Sequence, residues 1–297
     1  MPEVSVVVAA YNQAAWLDEA ICGVRAQTFE DWELLVVDDG STDDTPAVVA
    51  RHGDDRRIRY VAQERQERSA ARNRGIAETS APLVAFLDAD DCWRPEKLAR
   101  QVERLAAEPD AGVCYTAARF IDADGRPLPL RKPPRAIAGR VFDCLLAANV
   151  IILSSVVVRR TALARAGGFA LLPAYGCEDW DLWLRLARDG PVTVVDEELT
   201  LYRHHAGNTA WQQVLESAFA VIDRWTGSDG ARAALRARHC WINAASLAAD
   251  QPGAALALAG RALRESPGSA LGRPAAATLA HLVLPRGTVR ALRRLGA

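Results

Sequence analysis

The apolar positions of this chain first fall into unbroken runs separated by helical spacing. Residues 4–9 are a nearly continuous, mostly β-branched apolar run, the pattern of a strand buried on both faces of a parallel sheet. Leu17, Ile21 and Val24 then recur on one helical face. A second run, residues 32–37, stops at Asp38-Asp39-Gly40-Ser41. Residues 42–52 predict a helix, 58–61 a short strand and 69–77 a short helix. Residues 83–87 form another apolar run ending in Asp88-Ala89-Asp90-Asp91, and Pro95 opens a further helix at a position favoured for proline.

Strand and helix therefore alternate through about the first hundred residues. That alternation predicts an α/β fold, a doubly wound, mostly parallel sheet with right-handed crossovers. Its polar clusters fall just after strand ends, where open α/β sheets bind ligands. The middle of the chain is less regular, with a strand expected at 150–158, a helix at 180–189 and a last strand at 192–195. After about residue 207 the composition shifts to Ala, Leu and Arg. Residues 231–267 read as a helix pair broken at Gln251-Pro252-Gly253, with Ala244, Ala245, Ala255, Leu258, Ala262 and Pro267 placed as in a single tetratricopeptide-type repeat. One repeat cannot bury its own face, so it is expected to pack on the main domain or on a partner. The expected division is a catalytic-type domain over 1–210 and a C-terminal α-helical extension over 211–297.

Composition adds limits. The 297 residues are half hydrophobic and a quarter charged, ordinary for a globular protein. A net charge of -1 argues against nucleic-acid binding over the whole surface. The charge is uneven, because the chain from Ala231 onward holds ten arginines against Asp250 and Glu265. Within it, residues 281–295 mix Leu282, Leu284, Val289, Leu292 and Leu295 with four arginines. Such a basic amphipathic segment either makes peripheral contact with an anionic membrane surface or is the solvated face of a docked helix. The six cysteines lack metal or redox spacing, nothing at the N-terminus resembles a signal peptide, and no apolar run reaches the ~20 residues of a membrane span. The expectation is a cytoplasmic protein with reduced cysteines.

Four clusters could carry chemistry. Asp88-Ala89-Asp90 offers two carboxylates at a strand end, suited to a hard divalent cation that neutralises a diphosphate; the plainer reading is a surface turn. Asp38-Asp39-Gly40-Ser41-Thr42-Asp43 offers an acceptor for a nucleobase N–H or ribose hydroxyl; the plainer reading is helix capping by Ser41 or Thr42. Glu178-Asp179-Trp180 stands at a helix entrance, as a general base or as acids favoured by the helix dipole. Tyr202-Arg203-His204-His205 holds a histidine pair that becomes a metal-ligand candidate only near the acidic turn.

Val4-Ser5-Val6-Val7-Val8-Ala9-Ala10-Tyr11-Asn12 resembles the opening of the inverting family 2 glycosyltransferases of GT-A fold, the nucleotide-diphospho-sugar transferase type. Gln27-Thr28-Phe29, Val36-Val37 with the acidic cluster behind it, Ala71-Arg72-Asn73-Arg74-Gly75, Phe86-Leu87-Asp88-Ala89-Asp90-Asp91, Glu178-Asp179 and Tyr202-Arg203-His204-His205 are similar to that family in the same order. The resemblance covers about residues 3–210. It implies that Ala9, Tyr11 and Asp39 hold the nucleoside, with Arg72 also in the nucleotide site. It implies that Asp88 touches the ribose side, Asp90 binds a divalent cation (Mn2+ or Mg2+), and His205 reaches the metal or diphosphate. Asp179 would be the catalytic base. One departure is that Gln66-Glu67-Arg68-Ser69-Ala70 stands where the family has a glycine-containing loop. The implied partners are a nucleotide diphosphate sugar, UDP-linked for preference, and a saccharide or lipid-linked acceptor in polysaccharide or glycoconjugate synthesis. The rivals are a nucleotidylyltransferase, which residues 4–12 disfavour by lacking Gly and Lys, and a non-catalytic nucleotide-sugar or partner-binding protein acting through the helical tail.

Overall fold

The computed structural model describes residues 2–133, 136–172, 176–248, 251–272, 275, 276 and 278. The chain divides into two compact units, the first formed by Met1–Leu145, Asn149–Leu171 and Glu178–Asn208, the second by Leu146–Ala148, Leu172–Cys177 and Thr209–Ala297.

In the first unit, β1 (Val4–Ala10) pairs in parallel with β2 (Trp32–Asp38) on one side and β4 (Leu83–Asp88) on the other, and β3 (Ile58–Ala62) extends β2. Helices α1 (Ala14–Arg25), α2 (Thr45–Ala50) and α3 (Glu67–Ala77) fill the crossovers. All residues of β1 except Ala9 are buried, which is what an unbroken apolar run requires. β1, β2 and β4 end level with one another, so Ala10, Asp38 and Asp88 open on one crevice.

Beyond β4 the sheet is mixed. β5 (Cys92–Trp93), α4 (Lys97–Ala107), β6 (Val113–Ile121), β7 (Pro127–Lys132) and α5 (Phe142–Ala147) follow in the chain. Next come β8 (Val156–Arg159), α6 (Arg160–Ala166), α7 (Glu178–Asp189) and β9 (Val192–Arg203). The strand order is β3-β2-β1-β4-β8-β6-β9-β5, with β7 on β6. β8 is antiparallel to both β4 and β6, while β9 runs parallel to β6.

Several element boundaries differ from the sequence pattern. The expected strand at 150–158 is a 3-10 turn at Leu153–Ser155 followed by the short β8. Two buried serines cause this: Ser155 donates to the Ile152 carbonyl (2.6 Å) and Ser154 to the Asp91 carboxylate (2.5 Å), folding the chain off the extended path. The strand expected at 192–195 continues to Arg203. The register jumps from Thr116 opposite Val195 to Ala117 opposite Glu198, so Asp196 and Glu197 bulge outward and pairing resumes. The helix expected at 42–52 shrinks to Thr45–Ala50, and Asp43, not Ser41 or Thr42, accepts the Thr45 N–H (3.0 Å).

In the second unit, α8 (Trp211–Trp225) precedes α9 (Asp229–Leu247) and α10 (Pro252–Glu265). Ser228 caps α9 by accepting the Ala231 N–H. Helices α9 and α10 pack on each other, with Ala244, Ala255, Leu258 and Ala262 buried. The basic segment 281–295 lies outside the described residues. Among the described residues no helix is long and apolar enough to cross a membrane.

Candidate active site

The acidic turn is built from its neighbours. Asp91 is fully buried and both its oxygens are committed, one to the Ser154 hydroxyl and one to the Arg203 backbone N–H (2.8 Å). Ser154 also accepts the Asp88 N–H (3.0 Å), so the end of β4 is tied to the chain before β8 and to β9. Asp91 is thus the scaffold, and Asp88 and Asp90 are left part-exposed at the crevice. The Asp88, Asp90 and Asp91 oxygens lie within 4.8 Å of one another. Burial, then the charge of Asp88, pushes the Asp90 carboxyl above its usual range, while burial, Asp90 and Asp88 push Asp91 well above it. Crowded, all-oxygen carboxylates that resist ionisation fit a hard divalent cation, whose charge relieves their repulsion.

Arg203 locks the turn from below. Its guanidinium is 1% exposed and donates to the Asp90 carbonyl (2.9 Å), to the Ala123 carbonyl (3.0 Å) and to Glu19 on α1 (2.5 Å). His205, two residues on, then meets the Asp90 carboxylate at 2.9 Å through Nε2 and stacks on Trp16 with ring centroids 4.1 Å apart. Nδ1 lies 3.1 Å from the Gly207 N–H and accepts from it, which places the ring proton on Nε2, facing Asp90. Coordination by Nε2 therefore requires that proton to move. The structure thus brings His205 to the acidic turn, while His204 is exposed.

On the other side of the crevice, Asp38 and Asp39 divide their work. Asp38 accepts from Ser41 N–H (2.8 Å) and the Tyr60 hydroxyl (2.6 Å) and shapes its own turn. Asp39 accepts from the Gln63 amide (2.7 Å) and from the backbone N–H groups of Gln66 and Glu67 (both 2.8 Å). These bonds hold the loop that departs from the family pattern, and Glu67 there adopts a left-handed backbone (φ 75°) of the kind glycine favours. Arg65 from the same loop stacks over the Tyr11 ring at 3.8 Å. Ala9 is part-exposed beside them.

The Ala-Arg-Asn-Arg-Gly segment is explained by packing. Gly75 lets α3 approach β1 so closely that a Cβ would stand 2.3 Å from Val7 Cγ1. Asn73 clamps Phe169, donating to its carbonyl and accepting its N–H (both 2.8 Å). Arg72 is buried and forks between two acids, Nη2 to Asp88 (2.8 Å) and Nη1 to Glu178 (2.7 Å). Glu178 opens α7, and burial there is outweighed by Arg72 and then Arg68, which hold its carboxyl below the usual range.

Asp179 is the opposite case. It accepts its neighbour Trp180's N–H (2.7 Å), and the Asn149 amide lies 3.4 Å from both its oxygens. Burial, then the charge of Glu178, pushes its carboxyl up to about 6, against the pull of Lys132. Tyr202 on β9 packs against Phe120 on β6 with ring centroids 5.0 Å apart. Burial and four carboxylates, Asp91, Asp88, Asp90 and Asp179, push its phenol upward. Sequence reasoning missed Ser154, Trp16, Asn149 and the partnership of Arg72 with Glu178, and gave Arg203 no role of its own although it stands in the Tyr202–His205 cluster; the partners of each lie tens of residues away.

A second metal-like trio, Asp18, Cys22 and His52, lies between α1 and α2. Arg25 donates to His52 Nδ1 (3.2 Å), which places the Nε2 proton toward Asp18 (3.1 Å), and Arg51 adds a further positive charge, so this trio does not suit a cation.

Comparisons with known proteins agree on one family. The glycosyl transferase family 2 model matches residues 5–164. An uncharacterized glycosyltransferase of Rickettsia felis is 30% identical over 221 residues, covering 74% of this chain and 36% of that protein. A Bacillus subtilis protein named for teichuronic acid biosynthesis, TuaG, is 30% identical over 191 residues, 64% of this chain and 73% of its own length. The chain spans about a third of the length of the Rickettsia relative. Among solved structures, Staphylococcus aureus TarS 1-349 in complex with UDP-GlcNAc superposes with a TM-score of 0.66 at 16% identity, over 100% of this chain and 92% of that one. Mannosyltransferase PcManGT from Pyrobaculum calidifontis, in complex with GDP-Man and Mn2+, does so with a TM-score of 0.60 at 21% identity, over 99% of this chain and 87% of that one. The first unit is a GT-A-type α/β fold, and the chain belongs to glycosyl transferase family 2.

Proposed function

We propose that this chain transfers a sugar from a nucleotide diphosphate donor, UDP-linked for preference, to a hydroxyl of a saccharide or lipid-linked acceptor, with inversion at the anomeric carbon. The observation that carries this reading is that Arg72 bridges the Asp88–Asp90 turn to Glu178, the neighbour of Asp179, while Asp88, Asp90, Asp91 and Asp179 all bear on Tyr202. Family membership supports sugar transfer, and the TarS and PcManGT structures, with bound UDP-GlcNAc and with GDP-Man and Mn2+, support the donor class and a divalent cation. The relative TuaG supports a place in cell-surface polysaccharide synthesis.

In this reading Ala9, Tyr11 and Asp39 seat the nucleoside and Asp88 meets the ribose. Asp90, with His205 once its ring proton has moved, holds the divalent cation. When bound, that cation supplies positive charge to the departing diphosphate. Asp179 takes the proton from the acceptor hydroxyl, and its carboxyl near 6 matches a base working at neutral pH. A single in-line displacement needs no covalent enzyme intermediate, hence inversion. The basic composition of 281–295 supports contact with an anionic membrane face, and equal co-sedimentation of full and tail-deleted chains with anionic vesicles would refute it.

The test of the function is turnover of a nucleotide-sugar panel with added Mn2+, for wild type and Asp90→Ala. Donor turnover that depends on the cation and is lost in Asp90→Ala is expected. Near wild-type turnover of Asp90→Ala removes the metal assignment, and a binding protein gives no turnover with any donor.

A further inference from the structure

We propose that Arg72 is a positioning residue that couples the donor side of the site to the base: its guanidinium grips Asp88 at one end and Glu178 at the other, and so fixes a negative charge beside Asp179. The inference rests on the reading of Asp179 as general base.

Both terminal nitrogens of Arg72 are engaged, at 2.7 Å and 2.8 Å, and its side chain is only 5% exposed. A diphosphate contact needs an accessible cation, and this guanidinium is buried against two carboxylates that oppose its charge. Its place is set by the close approach of α3 to β1 at Gly75. One end of the bridge is the ribose-side acid of the donor turn. The other end is the residue immediately before the base, at the start of α7.

The electrostatic consequence follows from who faces Asp179. Glu178 comes from its own helix, Lys132 from β7, Arg72 from α3 and Tyr202 from β9. Glu178 is the like charge in this set, and it raises the proton affinity of Asp179 only while it stays ionised. Two cations hold it so, Arg72 at 2.7 Å and Arg68 at 3.8 Å, and Arg72 is the nearer and the buried one, so its loss moves a carboxylate as buried as Glu178 toward its protonated form. Arg72 therefore does two things with one side chain. It fixes the position of Asp88 for the donor, and it keeps Glu178 anionic so that Asp179 is a competent base near neutral pH.

The test uses the full chain with Mn2+, in wild type, Glu178→Gln, Arg72→Lys and Asp179→Asn, with folding checked by circular dichroism. The readouts are the pH dependence of kcat/KM and the inhibition constants of uridine and UDP. In Glu178→Gln the acid limb of the profile should move to lower pH, on the order of one pH unit. Arg72→Lys keeps the buried cation but cannot fork between two acids. Its turnover should fall roughly 10-fold or more, while uridine and UDP lose affinity in parallel, leaving their ratio within about 2-fold of wild type. A loss of UDP affinity ~10-fold beyond that of uridine would place Arg72 on the diphosphate and overturn the proposal. An unmoved acid limb in folded Glu178→Gln, with Asp179→Asn inactive, overturns it too and leaves the base reading standing. An active Asp179→Asn removes the base reading itself. If Glu178→Gln does not fold, the Arg72→Lys affinity ratio decides.

Discussion

Replacing Asp179 with Asn should make the protein more stable and nearly inactive at the same time. On folding, the Asp179 carboxyl moves from 3.8 to about 6, because of burial first and Glu178 second. An acid raised in the folded state binds more protons there than in the unfolded chain between those two values. Its ionisation therefore subtracts stability as pH rises through that window, and the full cost is present above pH 6. At 1.36 kcal/mol per pH unit, the cost is about 3 kcal/mol. Asp179 is part-exposed in the crevice, so water screens it and this figure is a ceiling. Asn cannot ionise, yet it still accepts the Trp180 N–H that Asp179 accepts now at 2.7 Å. Urea melts at pH 4.5 and 7.5 measure the difference. Asp179→Asn should exceed wild type at pH 7.5 by up to about 3 kcal/mol and at pH 4.5 by only about 1 kcal/mol. Turnover should drop by roughly 100-fold or more, and wild-type kcat/KM should rise with pH through about 6. A stability difference that is the same at both pH values, or a variant less stable at pH 7.5, would refute the reasoning.

Other expectations follow from single contacts. Gly75→Ala should cost about 1–3 kcal/mol in urea melts, because Val7 is buried and stiff, and the Val7→Ala background should recover most of it. Lys97 is fully buried over Trp93, donates to Gln101 at 2.7 Å, and is pushed down to about 7 by burial. The unfolded chain therefore binds more protons between pH 7 and 10.5, so wild-type stability should rise from pH 7 to 9, and Lys97→Met should flatten that rise; an unchanged slope would remove the explanation. Calorimetry with Mn2+ should find UDP bound more tightly than GDP or ADP, since the Asp39 carboxylate suits a pyrimidine N3–H, and a purine preference would refute it.

The parallel half of the sheet is legible in the amino-acid order alone. Strands such as Val4–Ala10 and Leu83–Asp88 are buried on both faces, so their apolar runs have no other stable use, and the acids behind them mark the crevice. That order also located the family segments, because the residues of each segment are contiguous in the chain. The mixed half was legible only in pieces. β6 pairs with β7, β8 and β9 from three later stretches, and the continuation of β9 past Asp196 and Glu197 depends on a bulge that no local pattern announces. Tertiary structure alone decided which member of each adjacent acid pair is spent on scaffolding. Asp90 and Asp91, and Glu178 and Asp179, are chemically near-identical neighbours in the sequence. They differ because Ser154 and Arg203 claim Asp91 and Arg72 claims Glu178, and those partners lie 63 to 112 residues away along the chain. A side chain's charge state and availability are set by what packs against it, and only the fold supplies those neighbours.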